Sequence, residues 1–423
     1  MVNIKKLFKY KKEDSLIRDS AILFLAASGL TMSGFLFHFY MGRKLGPASY
    51  GDLGIIFSLL YIFLVAFFVV QTIITSFVAE YKAKNEEEKI NVLLRRALKR
   101  FLKIGIGIAI IFLLISKFIA DFLHIDIRYL WIMSPMIVLL FLLPVTRGVM
   151  QGLESFKALG FNMTIEGLTK VIIGVLFVFI GFGVGGAVWA LVISYSLAFL
   201  LSFITLKKYT HKKNIEFDSK PIYKYAVPVI ISLFLFTGFY TIDVLLVKHF
   251  FNEHNAGLYV ALSFLGKIIF FGTQSVATVM FPKAVSNFTV NKISKKLVNK
   301  AMFLVGSLGG IAVIAYFIFP KLAIMILYGK TYLEISNLLG IYGLVMLILS
   351  LSYVLVFYNL SLHRKKFILI LLLFLILESF MLFMFHKTML QIILILLVLM
   401  FLMYVSLLFY TYKDNAINNN TSI

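Results

Sequence analysis

Twelve apolar stretches, each long enough to cross about 30 Å of hydrocarbon, run through this sequence and fix lipid as its solvent. They lie near 20–41, 53–79, 101–119, 129–150, 158–180, 185–206, 225–247, 256–282, 301–319, 334–358, 367–384 and 389–410. Within each run the apolar residues are continuous and lack the two-residue alternation of a membrane β-barrel. A lipid-exposed backbone must also satisfy its own hydrogen bonds, so helices are expected throughout. Composition agrees: 61% of the 423 residues are hydrophobic and 14% charged, where soluble domains carry about 25% charged residues. A chain with 44 phenylalanines has too little polar surface to cover a water-facing core. The fold class expected is an all-α polytopic membrane protein of twelve transmembrane helices.

The formal net charge of +22 invites a nucleic-acid reading, which the spacing rejects. Lys and Arg sit in short clusters between apolar runs and form no continuous stripe that could track a phosphate backbone. They orient the spans instead. With the N-terminus in the cytoplasm, the inner segments hold 31 of the 41 basic residues and the outer segments 8, while Lys170 and Lys267 lie inside spans. A bias of that size in short loops places both termini in the cytoplasm of a multi-pass cell-membrane protein. The first apolar run is long and no A-x-A-like site follows it, so Met1 is expected to remain. The chain has no cysteine, which removes disulfides and thiolate metal sites.

The chain then reads as a basic cytoplasmic N-terminus (1–19), a six-helix lobe (20–206), a basic cytoplasmic linker (207–224), a second six-helix lobe (225–410) and a polar tail (411–423). The lobes resemble each other at an offset near 209 residues: Gly46-Pro47-Ala48-Ser49-Tyr50-Gly51 opens the second span, and Ala256-Gly257-Leu258-Tyr259 opens the eighth. An even number of spans per lobe keeps both in one orientation. That predicts parallel repeats about a pseudo-two-fold axis along the membrane normal, with a site at mid-depth.

Ionisable side chains inside spans cost roughly 2.5–3.5 kcal/mol each on insertion scales and usually line a cavity. Five stand out: Glu166 and Lys170 in span five, Asp243 in span seven, Lys267 in span eight and Glu378 in span eleven. Glu166 and Lys170 share one helical face and can pair. Asp243 lies near the outer end of its span, where solvent or a pairing partner can hold it. Lys267 has no partner at helical spacing in its own span. Arg18 and Arg147 lie near inner ends, from which they can snorkel. The expected site is a cationic lining of Lys267, Lys170, Arg18 and Arg147, with Glu166, Asp243 and Glu378 as coupling or pairing carboxylates. Gly148–Gly152 and Gly306–Gly310 fit the GxxxG spacing of close helix packing.

Other motifs fail. Gly329-Lys330-Thr331 ends like a phosphate loop, but Ile324 stands where the first glycine belongs. The seven histidines form no H-E-x-x-H, and no outer loop is long enough for a catalytic domain. Neither an enzyme activity nor a cofactor is expected.

Gly42-Arg43-Lys44-Leu45-Gly46-Pro47-Ala48-Ser49-Tyr50-Gly51 resembles the R-x-L-G-P-x-x-Y-G pattern of the polysaccharide transporters. These belong to the multidrug/oligosaccharidyl-lipid/polysaccharide flippase superfamily. Asp243, Leu245-Leu246, Gly257 with Tyr259, and Met280-Phe281-Pro282-Lys283-Ala284 fit the second half of that pattern. The resemblance implies a two-lobe flippase that moves a polyprenyl-(pyro)phosphate-linked oligosaccharide from the cytoplasmic to the outer leaflet, for cell-surface polysaccharide or glycoprotein assembly. An ion-coupled exporter of small molecules from the same superfamily is the alternative. Lipid-linked oligosaccharide and bilayer are the expected partners, H+ or Na+ the candidate coupling ions, and the expected state is monomeric. Without the family, Gly46, Pro47, Tyr50 and Gly51 read as a tight turn at the outer interface with a tyrosine at headgroup level.

Overall fold

The computed structural model describes residues 4–209, 220–289, 295–362 and 364–420. The side chains of Arg18 and Pro282 lie outside that description. Every regular element among the described residues is helical.

The first helix, α1 (Ile4–Ala83), carries two spans. Inside it only Gly46 leaves helical conformation (φ 73°, ψ 172°). That backbone geometry is open to glycine, and Pro47 restarts the helix where a missing N–H costs little. The first lobe continues with α2 (Glu87–Leu123), α3 (Ile127–Gly152), α4 (Phe156–Phe179) and α5 (Gly183–Leu206). Asp126 caps α3 by accepting from the Arg128 N–H at 2.9 Å. Hydrogen bonding from the Arg128 guanidinium holds the Asp126 carboxyl below the usual carboxylate range.

The seventh span, expected as one helix, is two: α6 (Lys220–Gly238) and α7 (Ile242–Phe250). The Thr241 hydroxyl donates to the Thr237 and Gly238 carbonyls at 2.9 and 3.3 Å, competing with the backbone ladder. After α8 (Glu253–Thr289) and α9 (Lys295–Ile318), the outer segment folds as a short α10 (Pro320–Leu327) and a 3-10 turn (Lys330–Ile335). The last helices are α11 (Ser336–Ser361), α12 (Phe367–Met384) and α13 (Met389–Asn420). Among the described residues, eleven helical segments are long and apolar enough to span a membrane, and the first holds two spans across Gly46.

Burial repeats at a period of six spans. The apolar windows of spans three to six are 28, 67, 33 and 44% buried, and those of spans nine to twelve are 22, 72, 28 and 39%. The fourth span of each half, α3 or α11, is thus its interior helix. In one half α2 and α5 pack on α3, and in the other α8, α9 and α13 pack on α11. Gly148 and Gly152 let α3 approach α1 closely: a Cβ there would sit 2.8 Å from Ile74 Cβ and 2.6 Å from Val78 Cβ. Gly306 and Gly310 do not play the expected part, since nothing lies within 4 Å of either; Gly309 packs instead, 2.6 Å from Leu347 Cδ1.

Packing divides the chain into two compact units. One comprises Met1–Lys44 and Phe63–Ala226, the other Leu45–Ile62 and Val227–Ile423. The opening of the second span therefore belongs with the C-terminal helices. Its seat is built on glycine: a Cβ at Gly257 would lie 1.7 Å from the Pro47 carbonyl oxygen, and one at Gly54 2.2 Å from Val260 Cγ1. Asp52 meets the buried Lys248 ammonium at 2.6 Å. Tyr50, expected at headgroup level, is fully buried and shares a hydroxyl hydrogen bond with Tyr328 at 2.8 Å. Its ring packs tilted against Tyr328 and edge-on against Tyr332, geometries aromatic pairs favour on burial.

Candidate functional site

Each unit buries a group of charged side chains, and the two groups are built differently. In the C-terminal unit Lys267 lies on α8 with 4% of its surface exposed. Its ammonium stands 5.5 Å from the Tyr61 ring centroid and 5.8 Å from that of Tyr240. The face of an aromatic ring attracts a cation, more strongly when water is excluded. Among the described residues no carboxylate comes within ion-pair distance of it, although the charge of Asp243 reaches it.

Asp243 does not sit in solvent near the outer end of a span. The break after α6 starts a new helix at Ile242, and Asp243 occupies its first turn, fully buried. That helix N-terminus favours a carboxylate. Its Oδ2 accepts from the hydroxyls of Tyr259 at 2.9 Å and Tyr342 at 2.7 Å, and Tyr342 also meets Ser263 at 3.0 Å. Oδ1 has no hydrogen-bond partner among the described residues. Glu378 on α12 is fully buried as well, and neither of its oxygens is hydrogen-bonded. The two carboxylates are close enough to act on each other electrostatically. With both ionised and Lys267 charged, the cluster holds one negative charge in excess, which a proton or a monovalent cation would balance.

In the N-terminal unit, Glu166 pairs with Arg147 at 2.6 Å and not with Lys170. Arg147 does not snorkel: it is 4% exposed, and its Nε donates to Asn162 Oδ1 at 2.9 Å. Asn162 Nδ2 in turn donates to the Ala198 carbonyl at 2.6 Å. The guanidinium's several donors let it meet Glu166 and Asn162 at once, which the single ammonium of Lys170 does not match. Lys170 turns toward the first span, its Nζ 3.7 Å from where a Cβ on Gly34 would lie. The structure thus brings Lys267, Asp243 and Glu378 together in one unit, and Arg147, Glu166 and Lys170 in the other. Arg18 falls outside the described side chains.

Sequence reasoning missed the tyrosines. Tyr61, Tyr240 and Tyr342 look like ordinary apolar-span residues, and only tertiary packing sets them around the charges. Tyr259, read from the sequence as a motif residue, is also a donor to Asp243. Asn162 had a legible signal, being spaced four residues from Glu166 and so on the same helical face. No group of three or more His, Cys, Asp or Glu side chains is placed to hold a metal ion among the described residues.

The family model "Polysaccharide biosynthesis protein" matches residues 16–288. No curated protein matches the chain significantly. Among solved structures, the chain resembles an inward-facing multidrug resistance MATE family transporter of the MOP superfamily, with TM-score 0.78, 14% identity and 93 and 96% of the two chains covered. An outward-facing form of such a transporter matches with TM-score 0.69, 14% identity and 96% of each chain. A MOP superfamily transporter from Pyrococcus furiosus, described by the reverse polarity of its binding pocket, matches with TM-score 0.61, 13% identity and 94% of each chain.

Proposed function

Because the chain belongs to the polysaccharide biosynthesis protein family, we propose that it is a flippase for a polyprenyl-(pyro)phosphate-linked oligosaccharide. The observation that carries this reading is Lys267, a buried cation held by two tyrosine rings and by no ion pair. A lysine in that state can donate to a phosphate oxygen without first breaking a salt bridge. Arg147 is a poorer candidate for phosphate contact, because Glu166 already neutralises it. Lys170 and Arg18 are proposed as further cationic contacts, both belonging to the N-terminal unit.

The cargo would enter from the cytoplasmic leaflet, its lipid tail staying in the bilayer while the headgroup passes through the protein. Alternation between inward- and outward-open states around a mid-membrane site would complete the movement. The chain has no phosphate-loop motif, so the drive falls to ions and potential. Two negative charges moving outward in an inside-negative membrane gain about 2.3 kcal/mol per charge per 100 mV. Asp243 and Glu378 are the proposed exchangers of H+ or Na+, their three unbonded oxygens offering acceptors and their surplus charge an attraction.

The same carboxylates favour a second reading, ion-coupled export of a small cationic molecule. Reconstituted vesicles separate the two. Lipid-linked oligosaccharide moving from protected to exposed leaflet faster than in empty vesicles supports the flippase. Efflux of small cations with no lipid movement overturns it.

A further inference from the structure

The exposed side of α8 below Lys267 is divided lengthwise. At about 100° per residue, Lys267, Phe271, Gln274 and Thr278 fall within an arc of about 60°, and Ser275 borders it. Phe271 and Gln274 are half-buried, and Ser275 and Thr278 are exposed. The neighbouring strip is apolar: half-buried Ile268, then exposed Gly272 and Val279, the last 58% exposed. Opposite both, Ile269, Phe270, Thr273, Ala277 and Met280 are buried. Val279 can face acyl chains. An amide and two hydroxyls on this side face lipid only at a cost, so the strip below the buried Lys267 is suited to line an aqueous or cargo-filled path.

Aromatic rings continue along this strip. Phe271 packs tilted against Tyr61 at 5.8 Å and edge-on against Tyr240 at 6.0 Å, the two rings that hold Lys267. One turn on, Gln274 Nε2 donates to Tyr353 Oη at 2.8 Å, which fixes the amide and leaves its oxygen as an acceptor. From Lys267 to Thr278 the strip is about 16 Å long. A ring face beside a fixed amide and hydroxyls matches one ligand chemistry in particular. A sugar ring presents C–H groups, positively polarised, on its faces and hydroxyl donors at its rim.

Resting on the flippase reading, we propose that Phe271, Gln274, Ser275 and Thr278 form a glycan subsite adjoining Lys267. Phe271 takes the face of a sugar ring, the Gln274 oxygen accepts from a sugar hydroxyl, and Lys267 holds the phosphate at one end. The subsite reads sugars, and the lysine reads charge.

The test is binding to the purified full-length protein in detergent, with two probes: bare undecaprenyl pyrophosphate, and polyprenyl-pyrophosphate-linked oligosaccharides extracted from the source cells. Phe271→Leu keeps an apolar side chain but removes the ring, and Gln274→Leu removes the amide while keeping a side chain of similar length. Each should weaken the glycan-bearing probe roughly three- to tenfold and leave the bare lipid unchanged, while Phe271→Tyr should bind as wild type. Lys267→Gln should weaken both probes together. Equal losses for both probes in Phe271→Leu and Gln274→Leu, or no loss in either, would overturn the subsite while leaving the flippase reading intact. Wild-type protein that binds neither probe overturns both.

Discussion

In the N-terminal unit the buried carboxylate of Glu166 is closed off by Arg147 at 2.6 Å, and Asn162 carries that network on to the Ala198 carbonyl. In the C-terminal unit, among the described residues, the buried carboxylate of Glu378 has no hydrogen bond, Asp243 keeps one oxygen unbonded, and Lys267 lies over two tyrosine rings and in no ion pair. Glu166 and Glu378 lie on corresponding helices, the fifth span of each half, while the other charges of the two groups do not correspond. Among the described residues, the first unit satisfies Arg147 and Glu166 internally and leaves the Lys170 ammonium without an ion pair, whereas the second leaves three carboxylate oxygens without a hydrogen bond and the Lys267 ammonium without an ion pair. Satisfied buried networks fix packing; unsatisfied ones are costly unless used. The difference teaches which unit to probe for structure and which for transport.

The comparison breaks most sharply at the lysine. Lys267→Ala should abolish flipping in vesicles while the protein still inserts and purifies as a folded monodisperse species. Normal flipping by that variant removes the anion site from the C-terminal unit. The reciprocal effect belongs to the N-terminal unit. Glu166→Ala leaves Arg147 buried without its counter-charge and should cost about 3–5 kcal/mol of stability, read as a lowered unfolding midpoint in detergent. Glu378→Gln, by contrast, replaces an unbonded buried carboxylate with a neutral amide. Its stability should hold or rise, and the dependence of transport on an imposed H+ or Na+ gradient should disappear. A large fall in stability with coupling retained would make the two units alike.

Smaller effects sharpen the picture of how each unit is seated. Gly257→Ala pushes a methyl against the Pro47 carbonyl and should destabilise the seat of the second span by about 1–3 kcal/mol, the range of overpacked cores. Asp126→Ala removes the α3 cap at a cost of about 1 kcal/mol. Since Arg128 lowers the Asp126 carboxyl, that contribution is complete above the unfolded value and fades as pH falls below about 4. Wild type and Asp126→Ala should then converge in unfolding midpoint at low pH.

Much of this was legible without coordinates. Gly46-Pro47 marked the kink between the first two spans, because a left-handed residue followed by a proline can do little else. Gly148 and Gly152 announced close packing, and Lys267 and Glu378 announced themselves by their cost in lipid. Pairing was not legible. Glu166 has Lys170 four residues away on its own helix, but the partner it takes lies on α3, and nothing in linear spacing ranks a guanidinium from another helix above a neighbouring ammonium. Tyr50 likewise moved from an expected interface to a buried contact with Tyr328, because the outer segment folds back as α10.

The sequence by itself determined the solvent, the number of spans and the positions that had to be paid for in lipid. Each follows from a local property: the length of an apolar run, a backbone dihedral open to glycine, a charge that costs several kcal/mol wherever it sits. Only the tertiary structure decided which charges are neutralised and which stay available. It broke the seventh span to set Asp243 on a helix N-terminus, brought two tyrosines from separate spans around Lys267, and grouped residues 45–62 with helices two hundred positions away. Those outcomes depend on distances between spans, which no single apolar run encodes.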